Sequence, residues 1–273
     1  MKPIPQEDLH PLLLDVLFAF HRYCEAHSLT YFMSDGTLLG AVRHKGFIPW
    51  DDDVDVSMVD AEYDRLIEFA KAEPFLDDAQ RYKFLLPAEL PNFYPFLKVV
   101  DTCTCVYEKD ISRSYGIGVW LDVFRFSHCD ADFSKTLEKF HRVLKLKEMN
   151  KLAICGNFST TAYKALSPFL AVGKGLLKLC GKTPVRLSEQ MLEIERSMPK
   201  SGELLMDVTW ADNDDHYFKA ELWEEITLLE FEGRQFMAPK RYEEVLTAQY
   251  GDYMTLPPEK DRVRHDYEAY YLK

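Results

Sequence analysis

Ser34-Asp35-Gly36-Thr37-Leu38-Leu39-Gly40-Ala41-Val42-Arg43-His44-Lys45-Gly46-Phe47-Ile48-Pro49-Trp50-Asp51-Asp52-Asp53-Val54-Asp55-Val56 is the stretch of this chain that decides its fold. Aspartates stand at positions 51, 52, 53 and 55, and from Asp53 to Met58 polar and apolar residues alternate. That period of two predicts a half-buried strand, with Val54, Val56 and Met58 turned to a core. Asp51, Asp53 and Asp55 would then share one face, with successive side chains ~6.5–7 Å apart, close enough to converge on one or two cations. Without a cation the like charges repel and raise one another's pKa. Aspartate is also poorly suited to strands. A local rule broken this strongly points to a site. Charge runs are usually solvated loops, but a solvated loop has no reason to alternate with β-branched residues.

The residues upstream of the acids suggest what they act on. Gly36-Thr37 reads as a turn entering a short helix over 36–45, with Leu38, Leu39 and Val42 on its apolar side. Such a turn offers backbone N–H groups and a helix N-terminus to an anion, the usual way to hold phosphate. A phosphate cradle beside carboxylates makes a metal–nucleotide site, and hard oxygen ligands suit Mg²⁺ or Mn²⁺. Arg43 and Lys45, at the end of the short helix, are candidates to neutralise a diphosphate.

Other candidates come from further along. Lys98 stands alone in the apolar run Phe96-Leu97-Lys98-Val99-Val100 and needs a counter-charge, which reads as a phosphate contact. Asp122, in the middle of Gly118-Val119-Trp120-Leu121-Asp122-Val123-Phe124, is costly unless paired or metal-bound, and reads as the third acid. His265, among Arg262, Arg264 and Asp266, either serves the site or lies on a solvated C-terminal helix. Tyr31 and Trp50 read as packing residues. Cys103 and Cys105 read as buried, reduced thiols on one side of a strand; the six cysteines have no disulfide-framework spacing.

Periodicity sets these residues in an α+β chain. Leu13, Val16, Leu17, Phe20 and Cys24 predict a helix over about 9–27, and Asp60 reads as the cap of a helix after the acidic strand. Further strands are expected at 82–86, 95–101, 103–107, 118–124, 203–209 and 226–237. Helices are expected at 132–151, 158–180 (broken near Pro168), 184–198 and 240–250, the last ending on Gly251. The elements do not alternate as regular βαβ units, so a mixed sheet flanked by helices is expected. All of 1–273 reads as a single domain, carrying a helical insertion near 150–200.

Composition excludes several classes. A net charge of −12 argues against a general nucleic-acid coat. Met1-Lys2-Pro3-Ile4-Pro5 lacks signal-peptide character, and no uncharged run reaches the ~20 apolar residues that span a bilayer, so residence in the cytoplasm is expected. The insertion reverses the overall charge: from Met149 to Ser188 there is no acidic residue, while Lys151, Lys164, Lys174, Lys178, Lys182 and Arg186 all occur. With its apolar faces this is the pattern of a helix lying on an anionic membrane surface, here the inner face of the plasma membrane; a basic helix packed on an acidic body is the alternative.

The segment from Gly36 to Asp55, the strand ending Trp120-Leu121-Asp122-Val123-Phe124 and the tail Tyr250-Gly251-Asp252-Tyr253-Met254-Thr255-Leu256-Pro257-Pro258 together resemble the LicD family, phosphocholine transferases of nucleotidyltransferase fold. The resemblance implies metal ligation by Asp51, Asp53, Asp55 and Asp122, with Asp53, Asp55 and Asp122 catalytic. It also implies contact of Gly36 and Thr37 with the donor phosphates. Arg125 stands where many relatives carry proline after the second acidic strand. The implied reaction moves phosphocholine, or a similar phosphoalcohol, from CDP-choline or another CDP-alcohol to a hydroxyl of a cell-surface glycan or its lipid-linked precursor, releasing CMP. Two ions ~3.5–4 Å apart would serve it, with Asp122 helping to take the acceptor proton. Attack on the α-phosphate of a nucleoside triphosphate, and a non-catalytic membrane-peripheral role, remain open alternatives.

Overall fold

A computed structural model describes residues 1–156, 166–214, 216–262 and 267–272. It confirms the α+β class. The chain runs β1 (Lys2–Pro3), α1 (Gln6–His27), β2 (Phe32–Met33), α2 (Asp35–Arg43), β3 (Asp55–Val59), α3 (Asp60–Ala72), β4 (Tyr82–Leu85), β5 (Leu97–Asp101), β6 (Thr104–Glu108) and β7 (Trp120–His128). It continues through α4 (Phe133–Ile154), α5 (Ser167–Leu179), α6 (Pro184–Arg196), β8 (Leu204–Met206), β9 (Tyr217–Lys219), β10 (Ile226–Phe231), β11 (Arg234–Pro239), α7 (Tyr242–Tyr250) and β12 (Tyr267–Tyr271).

The main sheet has the order β2-β3-β7-β5-β4, and the far half of β7 also pairs with β8, which pairs with β9. Only β3 and β7 run parallel; the other ladders of this sheet are antiparallel. β3 and β7 are buried along nearly their whole length, as a parallel pair requires. α1 lays Leu9, Leu13, Val16, Leu17, Phe20 and Cys24 on the core. Each large side chain so buried contributes roughly 1.5–3 kcal/mol. A smaller sheet, β1-β12-β6, brings the two ends of the described chain together.

Several expectations are corrected. The strand begins at Asp55, so Asp51 and Asp53 belong to the irregular connection before it rather than to its face. Asp60 makes no capping bond; its buried carboxylate lies 3.3 Å from Nδ1 of His128. Cys103 is exposed in the turn before β6, and Cys105 is half-buried because β6 is an edge strand of the small sheet. Pro168 lies in the first turn of α5, where its missing N–H costs nothing; residues 158–165 of the expected helix lie outside the described residues. The segment 226–237 is a hairpin that turns at Glu232-Gly233, both at positive φ. Where a solvated C-terminal helix was the alternative for the surroundings of His265, residues 267–271 form β12; His265 itself lies outside the described residues.

Arg125 has a structural task. Its side chain is 6% exposed and leaves β7 on the side of α3 and α6, with Nη1 2.6 Å from the Asp64 carboxylate and Nε 3.9 Å from Glu195. β7 keeps pairing with β3 at this point, through Met58 and Arg125, and continues to His128. Glu195 is 2% exposed, and burial holds its proton on up to about 8 despite the opposing pull of Arg125. Glu195 is therefore protonated when folded and ionised when unfolded over much of the neutral range. The resulting stability is fully present below about 4.5 and is lost as pH rises through about 8. Chemical denaturation from about pH 5 to about pH 8 should show unfolding free energy falling by up to about 1.4 kcal/mol per pH unit from this group. Glu195→Gln should flatten that slope; an unchanged slope would show that Glu195 ionises normally.

Candidate active site

The parallel register sets Asp55 of β3 level with Asp122 of β7, and the antiparallel β5–β7 register sets Lys98 level with Asp122 on the other side. Three neighbouring strands thus present Asp55, Asp122 and Lys98 to one cleft of about 570 Å³, which Asp53 also lines. Asp55 is held by its backbone: its N–H donates to Thr37 Oγ1 at 2.8 Å, and its carbonyl accepts from Ser34 N–H.

Lys98 and Asp122, two residues that each needed a counter-charge, answer one another. Lys98 Nζ lies 2.5 Å from Asp122 Oδ1, with side-chain exposures of 2% and 13%. The ammonium also sits 4.6 Å from the ring centres of Tyr94 and Trp120 and 5.0 Å from that of Phe96. Aromatic faces are favourable for a desolvated cation. Trp120 Nε1–H donates to the second carboxylate oxygen at 3.3 Å, which fixes the plane of Asp122.

The acids dominate the electrostatics. Burial raises the Asp55 pKa well above the carboxylate range, and Asp53, Asp35, Asp122 and Asp51 push it further. Tyr250 is raised by burial and then by Asp35, Asp55, Asp51 and Asp53, and Tyr94 by burial and by Glu108, whose carboxylate it contacts at 3.0 Å. A divalent cation would relieve this repulsion, and the oxygen-only donor set is the kind Mg²⁺ or Mn²⁺ takes. Among the described residues, no three His, Cys, Asp or Glu side chains close into a metal-binding group.

The remaining expected residues lie elsewhere. Asp51 is beside the cleft: a Cβ at position 36 would strike its carboxylate, so Gly36 is the residue that lets Asp51 approach the start of α2. Thr37 is buried and supports Asp55, as described. Arg43 and Lys45 do not line the cleft. They stand at the far end of α2, whose nine residues carry the chain ~13 Å from its N-terminus. Arg43 donates to the Tyr253 carbonyl at 2.8 Å, and exposed Lys45 turns at φ 61 with its carbonyl bound to Glu232 N–H. Tyr31 is buried as a packing residue, with its hydroxyl 2.9 Å from His21.

Sequence reasoning overlooked Asp35. It adopts φ 48 at the start of α2, lines the cleft, and accepts a 2.6 Å bond from Gln249 Nε2 of α7. Its signal lay in plain view, an acid directly before the Gly-Thr turn. Tyr94, Glu108, Trp210 and Tyr267 also line the cleft. They come from four separated segments that no local pattern ties together.

A nucleotidyltransferase domain is the class that comparison with known proteins gives to the segment carrying Asp51, Asp53 and Asp55. Residues 28–88 match the family model described as LicD/FKTN/FKRP, nucleotidyltransferase domain. The lipopolysaccharide cholinephosphotransferase LicD of Haemophilus influenzae is 30% identical over 283 aligned positions that cover all of both chains. Proteins of Rickettsia prowazekii and Rickettsia typhi share 46% identity over 39 residues, 14% of this chain and 15% and 13% of theirs. The chain belongs to the LicD family and is an enzyme of the transferase class.

The Lys98–Asp122 pair yields a test by urea denaturation. Removing one partner leaves a buried charge uncompensated, so Asp122→Asn and Lys98→Met should each destabilise by roughly 3–5 kcal/mol. The double variant should recover much of the summed loss. Additive losses would show that the two charges are not coupled.

Proposed function

We propose that this protein transfers phosphocholine from CDP-choline to a hydroxyl of a cell-surface glycan or its lipid-linked precursor. The observation that carries the reading is that Asp53, Asp55 and Asp122 line one cleft in a chain aligned over its whole length with a lipopolysaccharide cholinephosphotransferase. Asp53 and Asp55 would hold Mg²⁺ or Mn²⁺ together with the donor phosphates. The ion would neutralise charge on the diphosphate and its leaving group. Lys98, the cation of the cleft wall, adds a fixed positive charge near the reacting phosphoryl group. Asp122, oriented by Lys98 and Trp120, takes the proton of the acceptor hydroxyl. The acceptor oxygen forms a bond to the phosphorus that bears choline, the bond between that phosphorus and the bridging oxygen breaks, and CMP leaves with that oxygen.

Mass analysis of products from CDP-choline, a glycan acceptor and Mg²⁺ should give CMP and a glycan heavier by phosphocholine. A glycan carrying CMP, or pyrophosphate release from CTP without use of CDP-choline, would instead establish nucleotidyl transfer. Asp53→Asn and Asp55→Asn should fold yet lose activity by orders of magnitude. Mg²⁺ with CDP-choline should raise the melting temperature of the parent and not of these variants.

The acceptor's surroundings follow from α5. Among the described residues no helix is long and apolar enough to cross a membrane. α5 buries none of its residues, and Leu166, Phe169, Val172, Leu176 and Leu179 are 50–84% exposed along one stripe. Lys174 is turned inward, donating to the Cys155 carbonyl at 2.5 Å, whereas Lys178 is exposed near the end of α5 and Lys182 half-buried just beyond it. An apolar stripe with basic flanks and no acid suits the surface of an anionic bilayer. In flotation assays the protein should rise with anionic vesicles and not with zwitterionic ones. Phe169→Glu with Leu176→Glu, or Lys178→Glu with Lys182→Glu, should abolish this. Flotation indifferent to lipid charge and to both pairs would rule the surface out.

A further inference from the structure

A second pocket, of about 350 Å³, lies between the segment Phe93-Tyr94-Pro95, the second half of α4 and Met191 of α6. Three charged residues line it, Lys147, Lys151 and Asp110; Lys151 pairs with Glu148 at 2.9 Å, and Lys147 is already committed. The ammonium donates to the carbonyls of Trp210 at 2.6 Å and Ala211 at 3.1 Å, and pairs with Asp212 at 3.1 Å. What remains is chiefly carbon, from Phe93, Pro95, Ile111, Ile154, Met191 and Trp210.

Two features set this pocket apart from an ordinary packing gap. First, Tyr94 and Trp210 line both it and the reaction cleft, with ring centres 5.4 Å apart and packed edge to face, so they form a partition shared by the two. At the opposite end Ile154 and Cys155 finish α4, and there α5 is fastened: Lys174 bonds the Cys155 carbonyl, and Gly173 faces Leu152. The pocket therefore lies between the carboxylates and the exposed stripe of α5. Second, Asn150, which lines it, is 6% exposed, and its Oδ1 has no hydrogen-bond partner among the described residues. The orientation of this amide is set by its neighbours. Ser188 Oγ donates to the Phe93 carbonyl and so must accept from Asn150 Nδ2, at 2.9 Å. A buried carbonyl oxygen left this way is unfavourable until something donates to it.

We propose that this pocket binds the hydrocarbon portion of an amphiphilic acceptor, with Asn150 Oδ1 accepting from a hydroxyl or amide N–H on that portion. The proposal rests on the lipid-linked form of the acceptor given above, and it adds the part of the protein that holds the lipid. The acceptor would lie across the Tyr94–Trp210 partition, its apolar part in the pocket and its reacting hydroxyl in the cleft. Selectivity for tailed over untailed acceptors would then reside in α4 and α6, away from the carboxylates.

The test uses alkyl glucosides with six- to ten-carbon chains, titrated below their micelle-forming concentrations by isothermal calorimetry. Each added methylene that enters the pocket should tighten binding about three- to fourfold. Ile111→Trp, which fills the pocket from a half-buried position, should weaken the decyl compound at least tenfold with the melting temperature unchanged. Ile154→Phe, smaller in effect, serves if that variant does not fold. Phe169→Glu with Leu176→Glu should leave the titration unaltered, because the stripe is not the pocket. Affinity independent of chain length, full binding by the filled variants, or loss of binding only in the α5 variant would overturn the proposal. The titration needs no turnover, so failure of phosphocholine transfer alongside chain-length-dependent binding would reject the activity and uphold the pocket.

Discussion

The parallel pairing of β3 with β7 is the constraint on which the rest depends. Its register sets two carboxylates, Asp55 and Asp122, side by side on neighbouring strands, in a place where Asp55 is almost wholly removed from water. Such a pair is unfavourable on every electrostatic ground, and the surrounding structure answers it piece by piece. β5 brings Lys98 against Asp122, three aromatic rings surround the ammonium, and the Thr37 hydroxyl fixes the backbone of Asp55. Asp53, Asp35 and Asp51 then add charge instead of relieving it. The fold thus gathers like charge around one buried carboxyl and sets one close cation, Lys98, against its neighbour Asp122.

Much of this was legible from the sequence because the determining signals are local. Alternation over residues 53–58 predicted β3, an isolated charge in each of two apolar runs marked Lys98 and Asp122, and helical spacing predicted α1, α4 and α6 close to their observed limits. That Lys98 and Asp122 pair with one another was not legible, since it depends on the β5–β7 register. Arg43 and Lys45 were misplaced because nearness in sequence to the Gly-Thr turn was taken for nearness in space, and a helix runs away from its own N-terminus. Asp51 and Asp53 were assigned to the strand because alternation alone does not tell a strand from an extended lead-in. β12 and the wall residue Tyr267 depend on pairing with a strand some 160 positions earlier in the chain, β6, and no window of local sequence contains that information.

The helices between β7 and β8 do more than fill an interval. α4 and α6 share a second apolar cluster, including Phe140, Val143, Met191 and Ile194, and so make a firm base beside the sheet. α5 lies against that base by a lysine-to-carbonyl bond and a glycine contact while leaving its apolar stripe outward. The same base supplies one wall of the apolar pocket, so chemistry, pocket and exposed stripe follow one another across the molecule.

The small β1-β12-β6 sheet has a consequence for the order in which the molecule is made. It joins residues 2–3, 104–108 and 267–271, and through the Tyr267 hydroxyl, which donates to the Asp52 carbonyl at 2.8 Å, it braces the acidic connection from behind. Synthesis proceeds from the N-terminus, at about 5–20 residues per second. The aspartates therefore leave the ribosome some ten seconds or more before the tyrosine that buttresses them. Until then the nascent chain carries its four aspartates without that brace.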